Sequence, residues 1–87
     1  MQAPHEDILR RLRKIEGQVR GLQRMVGEDR YCLDILTQVA AVRAALDRVG
    51  MKVLDAHARG CLATAIRSGQ ADESIDELVV ALERFMR

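Results

Sequence analysis

Cys32, His57 and Cys61 are two thiols and an imidazole, a ligand set for a soft metal ion, in a chain of 87 residues with two cysteines and two histidines in all. Thiolates select ions such as Cu(I), which three ligands suit, whereas Zn(II) ordinarily takes a fourth, a position this set leaves to water or another group. His57 and Cys61 are four residues apart, so on a helix they share a face and can grip one ion. Cys32 is remote from both. On one continuous helix a rise of about 1.5 Å per residue puts it ~38 Å from His57 and ~44 Å from Cys61, so a shared site has to be assembled between subunits. The competing reading is an inert, buried thiol pair with a satisfied core histidine.

The elements that must position these residues are helices. From about Pro4 to Gly27, Ile8, Leu12, Ile15, Val19, Leu22 and Val26 recur at alternating spacings of four and three, a heptad stripe. Pro4 suits the first turn, Glu6 and Asp7 the positive end of the helix dipole, and Gly27 the termination. After a turn around Glu28 to Arg30, a second stripe runs through Ile35, Val39, Val42, Leu46, Val49 and Val53. Steps of four from Val53 reach His57 and Cys61, and Cys32 lies three before Ile35, so the ligands sit at both ends of one apolar stripe. Gly50 and Gly60 each cost about 1 kcal/mol in a helix. A break at Gly50 is the alternative to one helix from Leu33 to about Ile66. Ser68, Gly69 and Gln70 read as a turn, and Asp72 or Ser74 as the cap of a third helix with Ile75, Leu78, Val79, Leu82 and Met86 on its apolar face.

A helix from Leu33 to Ile66 is ~51 Å long and the first is nearer ~35 Å. The longer one projects beyond its intrachain partner and exposes apolar stripe. Antiparallel pairing of two copies about a two-fold axis near Ala45 and Leu46 brings Cys32 of one chain level with His57 and Cys61 of the other. Ala40, Ala41, Ala44 and Ala45 near that midpoint let the backbones approach.

Composition narrows the classes. Hydrophobic residues make up 48% and aromatics 2%, which argues for packed helices and against a base-stacking RNA surface. The chain is long enough for one domain, residues 1–87, with a modest core that oligomerisation would enlarge. No apolar run approaches the ~20 residues that span a bilayer, and residues 1–7 lack a signal-peptide pattern, so the expectation is a soluble cytoplasmic protein with reduced thiols. No base and nucleophile pair and no glycine-rich phosphate loop is evident, so an enzyme is not expected.

The net charge of +1 hides an asymmetry: residues 1–68 carry 12 basic and 8 acidic side chains, residues 69–87 carry 2 and 5. Arg10, Arg11, Arg13, Lys14, Arg20 and Arg24 decorate the first helix, and Arg43, Arg48 and Lys52 the second. The bland reading is a solvated face. The functional one is a helix surface that neutralises DNA phosphates and releases counterions.

The runs RLRKIEGQVRGLQRM and YCLDILTQVAAVRAAL, with HARGC supplying the histidine and cysteine four apart, resemble the CsoR/RcnR group of copper- and nickel-responsive bacterial repressors, specifically its copper-sensing branch. The resemblance covers nearly the whole chain. It implies an all-α, three-helix protomer, paired as an antiparallel four-helix bundle and assembled as a dimer of dimers. It implies Cu(I) held by Cys32 of one chain with His57 and Cys61 of its partner, Tyr31 and Glu77 as residues linking the metal-bound histidine to the third helix, and operator DNA contacted by Arg11 and Arg48; Arg10 and Lys14, from the basic face of the first helix, join them as candidates for DNA contact. The metal-free oligomer would bind the operator and the Cu(I) form release it, raising expression of copper efflux or buffering genes. His5 misses the position where nickel and cobalt sensors use a histidine and is read as solvated, and Cys61 argues against the nickel type. Persulfide-sensing relatives generally lack the histidine. A thiol or persulfide sensor of the same fold, and a metal-buffering protein without DNA binding, are the rivals.

Overall fold

Two long antiparallel helices and a short third arm make up the chain. The computed structural model describes residues 5–87, so the expectation placed on Pro4 lies outside the described residues. Helix α1 spans His5–Gly27, with Glu6 and Asp7 in its first turn and Arg24 in its last, signs that suit the helix dipole at both ends. It ends at Gly27 as expected, but Asp29, not a glycine, makes the left-handed turn (φ 56°). The Arg30 and Asp29 amides then close on the Met25 and Val26 carbonyls at 2.9 and 3.2 Å, a Schellman closure.

Helix α2 (Cys32–His57), a π-helical turn (Ala58–Leu62) and helix α3 (Ala63–Arg67) follow without interruption as one rod. Gly50 does not break it. The irregularity falls at Ala58–Leu62, around Gly60 and inside the span read as regular α-helix, so the expectation of one uniform helix from Leu33 to Ile66 is corrected. The rod ends in a second Schellman closure: Gly69 takes φ 80°, and the Gln70 and Gly69 amides donate to the Ala65 and Ile66 carbonyls at 2.8 and 3.3 Å. Helix α4 spans Ala71–Phe85. Its cap is Gln70, without a side-chain hydrogen bond; Asp72 and Ser74 lie inside it, and Asp72 and Glu73 place their charges in its first turn. Met86 lies past the end of α4 and is exposed, and Ile75 and Val79 are exposed too, so of the expected apolar face Leu78 and Leu82 are the residues that line the groove against α2. No β-strand occurs among the described residues.

Burial divides each heptad stripe in two. Ile8 and Ile15 on α1 pack with Val42 and Val49 on α2, and Leu22 and Ala45 complete this cluster. The alternate positions, Leu12, Val19 and Val26 on α1 and Val39, Leu46 and Val53 on α2, remain exposed. A helix in a four-helix bundle buries one row against each of two neighbours; here one row is satisfied within the chain. The chain measures 56 × 27 × 13 Å, so its thinnest dimension is about one helix diameter. Its radius of gyration is 17.2 Å, against about 12 Å for a compact domain of this length. Its accessible surface is 6972 Å², against about 5,200 Å² for a compact monomer of this mass.

Candidate functional site

Cys32 is the first residue of α2, His57 the last, and Cys61 lies in the π-helical turn. The structure therefore brings His57 and Cys61 together, one turn apart, and leaves Cys32 some ~38 Å along the rod. Among the described residues no three His, Cys, Asp or Glu side chains gather as a metal site within the chain. Both thiols are free and exposed, and His57 is half-buried. Exposure of both cysteines contradicts the inert buried-pair reading for the protomer. Two reachable thiols and an imidazole are a donor set whose softness fits Cu(I).

The π-helical turn gives the His57–Cys61 end its local shape. A single π-helical turn within an α-helix widens the coil by one residue and is frequent at functional sites. At its C-terminal edge the Gly60 carbonyl accepts the Ala63 amide and the Thr64 hydroxyl, the latter at 2.9 Å. On the outer face Arg59 Nε donates to both carboxylate oxygens of Asp55 at 3.0 and 3.2 Å.

A groove of about 480 Å³ between α2 and α4 is lined by His57 and Glu77 together with Gly50, Val53, Leu78 and Phe85. His57 and Glu77 are thus neighbours across one groove. Tyr31, the N-cap of α2, is exposed beside Cys32 at the far end, and no side-chain cap bond restrains it.

The basic residues also divide. Arg11, Lys14 and Arg48 line one groove of about 240 Å³ between α1 and α2, over a floor of Ile15, Ala41, Ala44 and Ala45. The small alanine side chains leave this groove open while the larger residues flank it. Arg10 lies outside the groove, exposed, and pairs with Asp7. His5, the first residue of α1, is exposed as expected.

Sequence reasoning missed Asp7 as more than a dipole partner. Its carboxylate receives Lys52 Nζ from α2 at 3.1 Å and Arg11 Nε at 3.3 Å. The Lys52 hydrogen bond is the largest influence on Asp7 and lowers its pKa below the ordinary 3.8; partial desolvation opposes it and Arg11 reinforces it. The i,i+4 spacing of Asp7 and Arg11 was visible in the sequence, whereas the Lys52 contact depends on the antiparallel register of α1 and α2. Gln18 was likewise unsignalled: its side-chain oxygen is buried between the helices without a hydrogen-bond partner.

The fold and site together are an all-helical protomer with a half-open heptad seam, thiol and imidazole side chains at opposite ends of one rod and a basic groove along the hairpin. The chain belongs to the metal-sensitive transcriptional repressor family, whose sequence profile matches residues 4–84. It is 48% identical over 82 residues to the copper-sensing transcriptional repressor CsoR of Bacillus subtilis (strain 168), covering 94% of this chain and 81% of that protein. It is 43% identical over 84 residues to the copper-sensing transcriptional repressor RicR of Mycobacterium tuberculosis, covering 94% and 88%. Among solved structures, the copper-sensing repressor CsoR with Cu(I) from Geobacillus thermodenitrificans NG80-2 superposes with a TM-score of 0.93 at 46% identity, covering 100% of this chain and 93% of that one. The nickel-responsive regulator InrS superposes at 0.83 with 44% identity, covering 98% and 96%. The fold is therefore shared between copper and nickel sensors, and the choice of metal rests on the ligands. No helix among the described residues is long and apolar enough to cross a membrane.

Proposed function

We infer that this protein is a Cu(I)-responsive transcriptional repressor, acting as one domain over residues 1–87, that binds operator DNA when metal-free and releases it on binding copper. The observation that carries the reading is the placement of Cys32 and the His57–Cys61 pair at opposite ends of a rod whose exposed row is symmetric about Leu46. Val39 and Val53 lie seven residues to either side of Leu46, both exposed like Leu46 itself. Antiparallel pairing about Leu46 sets Val39 against Val53 of the partner subunit and brings Cys32 level with residue 60 of the partner subunit, between its His57 and its Cys61. The protomer's excess surface of roughly 1,800 Å² over a compact monomer is about what one side of an obligate homodimer interface buries, which supports the antiparallel dimer; its assembly as a dimer of dimers rests on the family resemblance.

In this arrangement Cys32 of one chain and His57 and Cys61 of its partner hold the ion, the two thiols giving up their protons as ligands. The bound ion supplies a fixed link between the subunits. Glu77 lines the same groove as His57, and in this reading its carboxylate accepts the second ring N–H of the imidazole and carries its orientation to α4. Tyr31 adjoins Cys32 and so reaches the same locus from the other chain. Arg11, Lys14 and Arg48, which line one groove, meet the DNA backbone, and Arg10 flanks them with its charge engaged by Asp7. Release requires that DNA and the metal favour different quaternary arrangements.

The test is a gel shift at fixed salt, using the tightest duplex that the metal-free protein selects from a randomised pool. Stoichiometric Cu(I) is expected to weaken binding by 5- to 150-fold, the range of about 1–3 kcal/mol of coupling; unchanged affinity defeats the reading. The exposure of both thiols favours one second reading, a sulfur sensor in which a persulfide oxidises Cys32 and Cys61 of the partner subunit to a disulfide and leaves as a thiol and hydrogen sulfide, and copper would then leave DNA affinity unaltered.

A further inference from the structure

Asp7 is the one carboxylate that ties α1 to α2 by an ion pair among the described residues. Three cations converge on it: Lys52 Nζ at 3.1 Å, Arg11 Nε at 3.3 Å and the Arg10 guanidinium. Its side chain is only 23% exposed, while Lys52 and Arg11 are each 38% exposed, so the carboxylate lies beneath the cations it holds. Farther along the groove the situation reverses. Lys14 and Arg48 line it with Arg11, and neither makes an ion pair among the described residues.

We propose that Asp7 is a built-in counter-ion that sharpens DNA discrimination by positioning Arg11 and withholding Arg10 and Lys52 from non-specific phosphate contact. This rests on the reading of the α1–α2 groove as the DNA surface. The Arg11 bond to Asp7 uses Nε, which leaves the two terminal nitrogens as a fork of fixed direction, the geometry that matches a phosphate or a guanine edge. Arg10 and Lys52, by contrast, have their charge already engaged by a carboxylate. A phosphate that takes either of them must displace Asp7. Non-specific binding is a sum of such phosphate neutralisations, each adding about 0.9 to the slope of log affinity against log salt. Removing the Asp7 charge frees two cations for any phosphate within reach and lets Arg11 swing, so affinity rises where sequence does not matter and gains less where it does.

The experiment uses the full-length metal-free protein with two duplexes of equal length: the tightest one recovered from a randomised pool by the wild-type chain, and a shuffled version of it. For Asp7→Asn, the shuffled duplex is expected to bind several-fold more tightly, its salt slope to steepen by about 1–2 per bound protomer, and the ratio of selected to shuffled affinity to fall. Asp7→Glu retains the charge and is expected to keep the wild-type slope. Glu6→Gln makes the same charge change one residue away, where no ion pair is formed among the described residues, and is expected to leave the slope closer to wild type than Asp7→Asn does. Equal slopes and equal discrimination in Asp7→Asn and wild type overturn the proposal, as does a Glu6→Gln slope that shifts as far as that of Asp7→Asn. If the wild-type protein fails to distinguish the two duplexes, the DNA reading itself falls and takes this inference with it; wild-type discrimination with an unaltered Asp7→Asn removes this inference alone.

Discussion

Gly50→Ala is the substitution whose outcome the structure specifies most tightly. A Cβ at position 50 would overlap the Phe85 ring, which lies directly on the glycine backbone. The ring therefore has to leave its seat at the C-terminal end of α4. Phe85 is 43% exposed, and full burial of such a side chain is worth about 1.5–3 kcal/mol, so its seat on α2 contributes about 1–1.5 kcal/mol. Alanine in mid-helix returns about 0.5–1 kcal/mol through the unfolded chain and the helix backbone. Gly50→Ala alone is thus expected to leave global stability nearly unchanged while undocking the end of α4. The informative quantity is a double-mutant cycle. Phe85→Ala costs about 1–1.5 kcal/mol when residue 50 is glycine and close to nothing once it is alanine, a coupling of about 1 kcal/mol or more. Urea unfolding followed by circular dichroism measures it, at one protein concentration because assembly contributes to stability. Additivity of the two substitutions within about 0.5 kcal/mol refutes the argument that the glycine is there to seat the ring.

Two further outcomes follow from the same geometry. His57→Ala removes the nitrogen ligand and keeps both thiols, so a copper switch loses most of its Cu(I)-dependent release of DNA in a gel shift; full retention of release by a persulfide donor in wild type and variant alike would favour the sulfur sensor. The lowered pKa of Asp7 makes its pairing a stabilising feature above the ordinary aspartate value of 3.8 that is lost as pH falls through the lower folded value. Urea midpoints measured from about pH 5 down to about pH 3 are expected to fall more steeply for wild type than for Asp7→Asn, and identical acid limbs would contradict the assignment.

Heptad spacing was enough to anticipate the helices and the two apolar rows, because Ile8, Ile15, Val42 and Val49 occupy the positions that a helical hairpin must bury. What spacing does not carry is which row faces inward within the chain and which is left open, since both rows are equally apolar. The π-helical turn was also illegible. Its extra residue alters backbone hydrogen bonding from i→i+4 to i→i+5 near Gly60 while His57 and Cys61 stay one turn apart, so the ligand pair survives and the irregularity leaves no mark on the apolar pattern. The α4 face was misjudged at its end for a local reason: Met86 fits the period but falls after the last helical residue, and the adjacent Phe85 finds the gap that Gly50 leaves on α2. The resemblance points to Arg11 and Arg48, and the basic face of the first helix adds Arg10 and Lys14; the antiparallel register brings Arg11, Lys14 and Arg48 to one groove and leaves Arg10 outside it. That same register pairs Asp7 with Lys52, a contact between residues 45 positions apart that no local pattern announces.

The central claim is that one metal site is built from both subunits, and mixing two defective chains tests it directly. Cys32→Ser and Cys61→Ser proteins are each expected to lack the tight Cu(I) site on their own. Unfolded together and refolded, they are expected to recover about a quarter of the wild-type Cu(I) stoichiometry, because random pairing makes half the dimers mixed and each mixed dimer holds one intact site of two. Recovery of tight binding at that level in a competition titration with a Cu(I) chelator is the predicted result. A mixture that binds no more tightly than its parents, or a single variant that keeps the full site, would contradict the account.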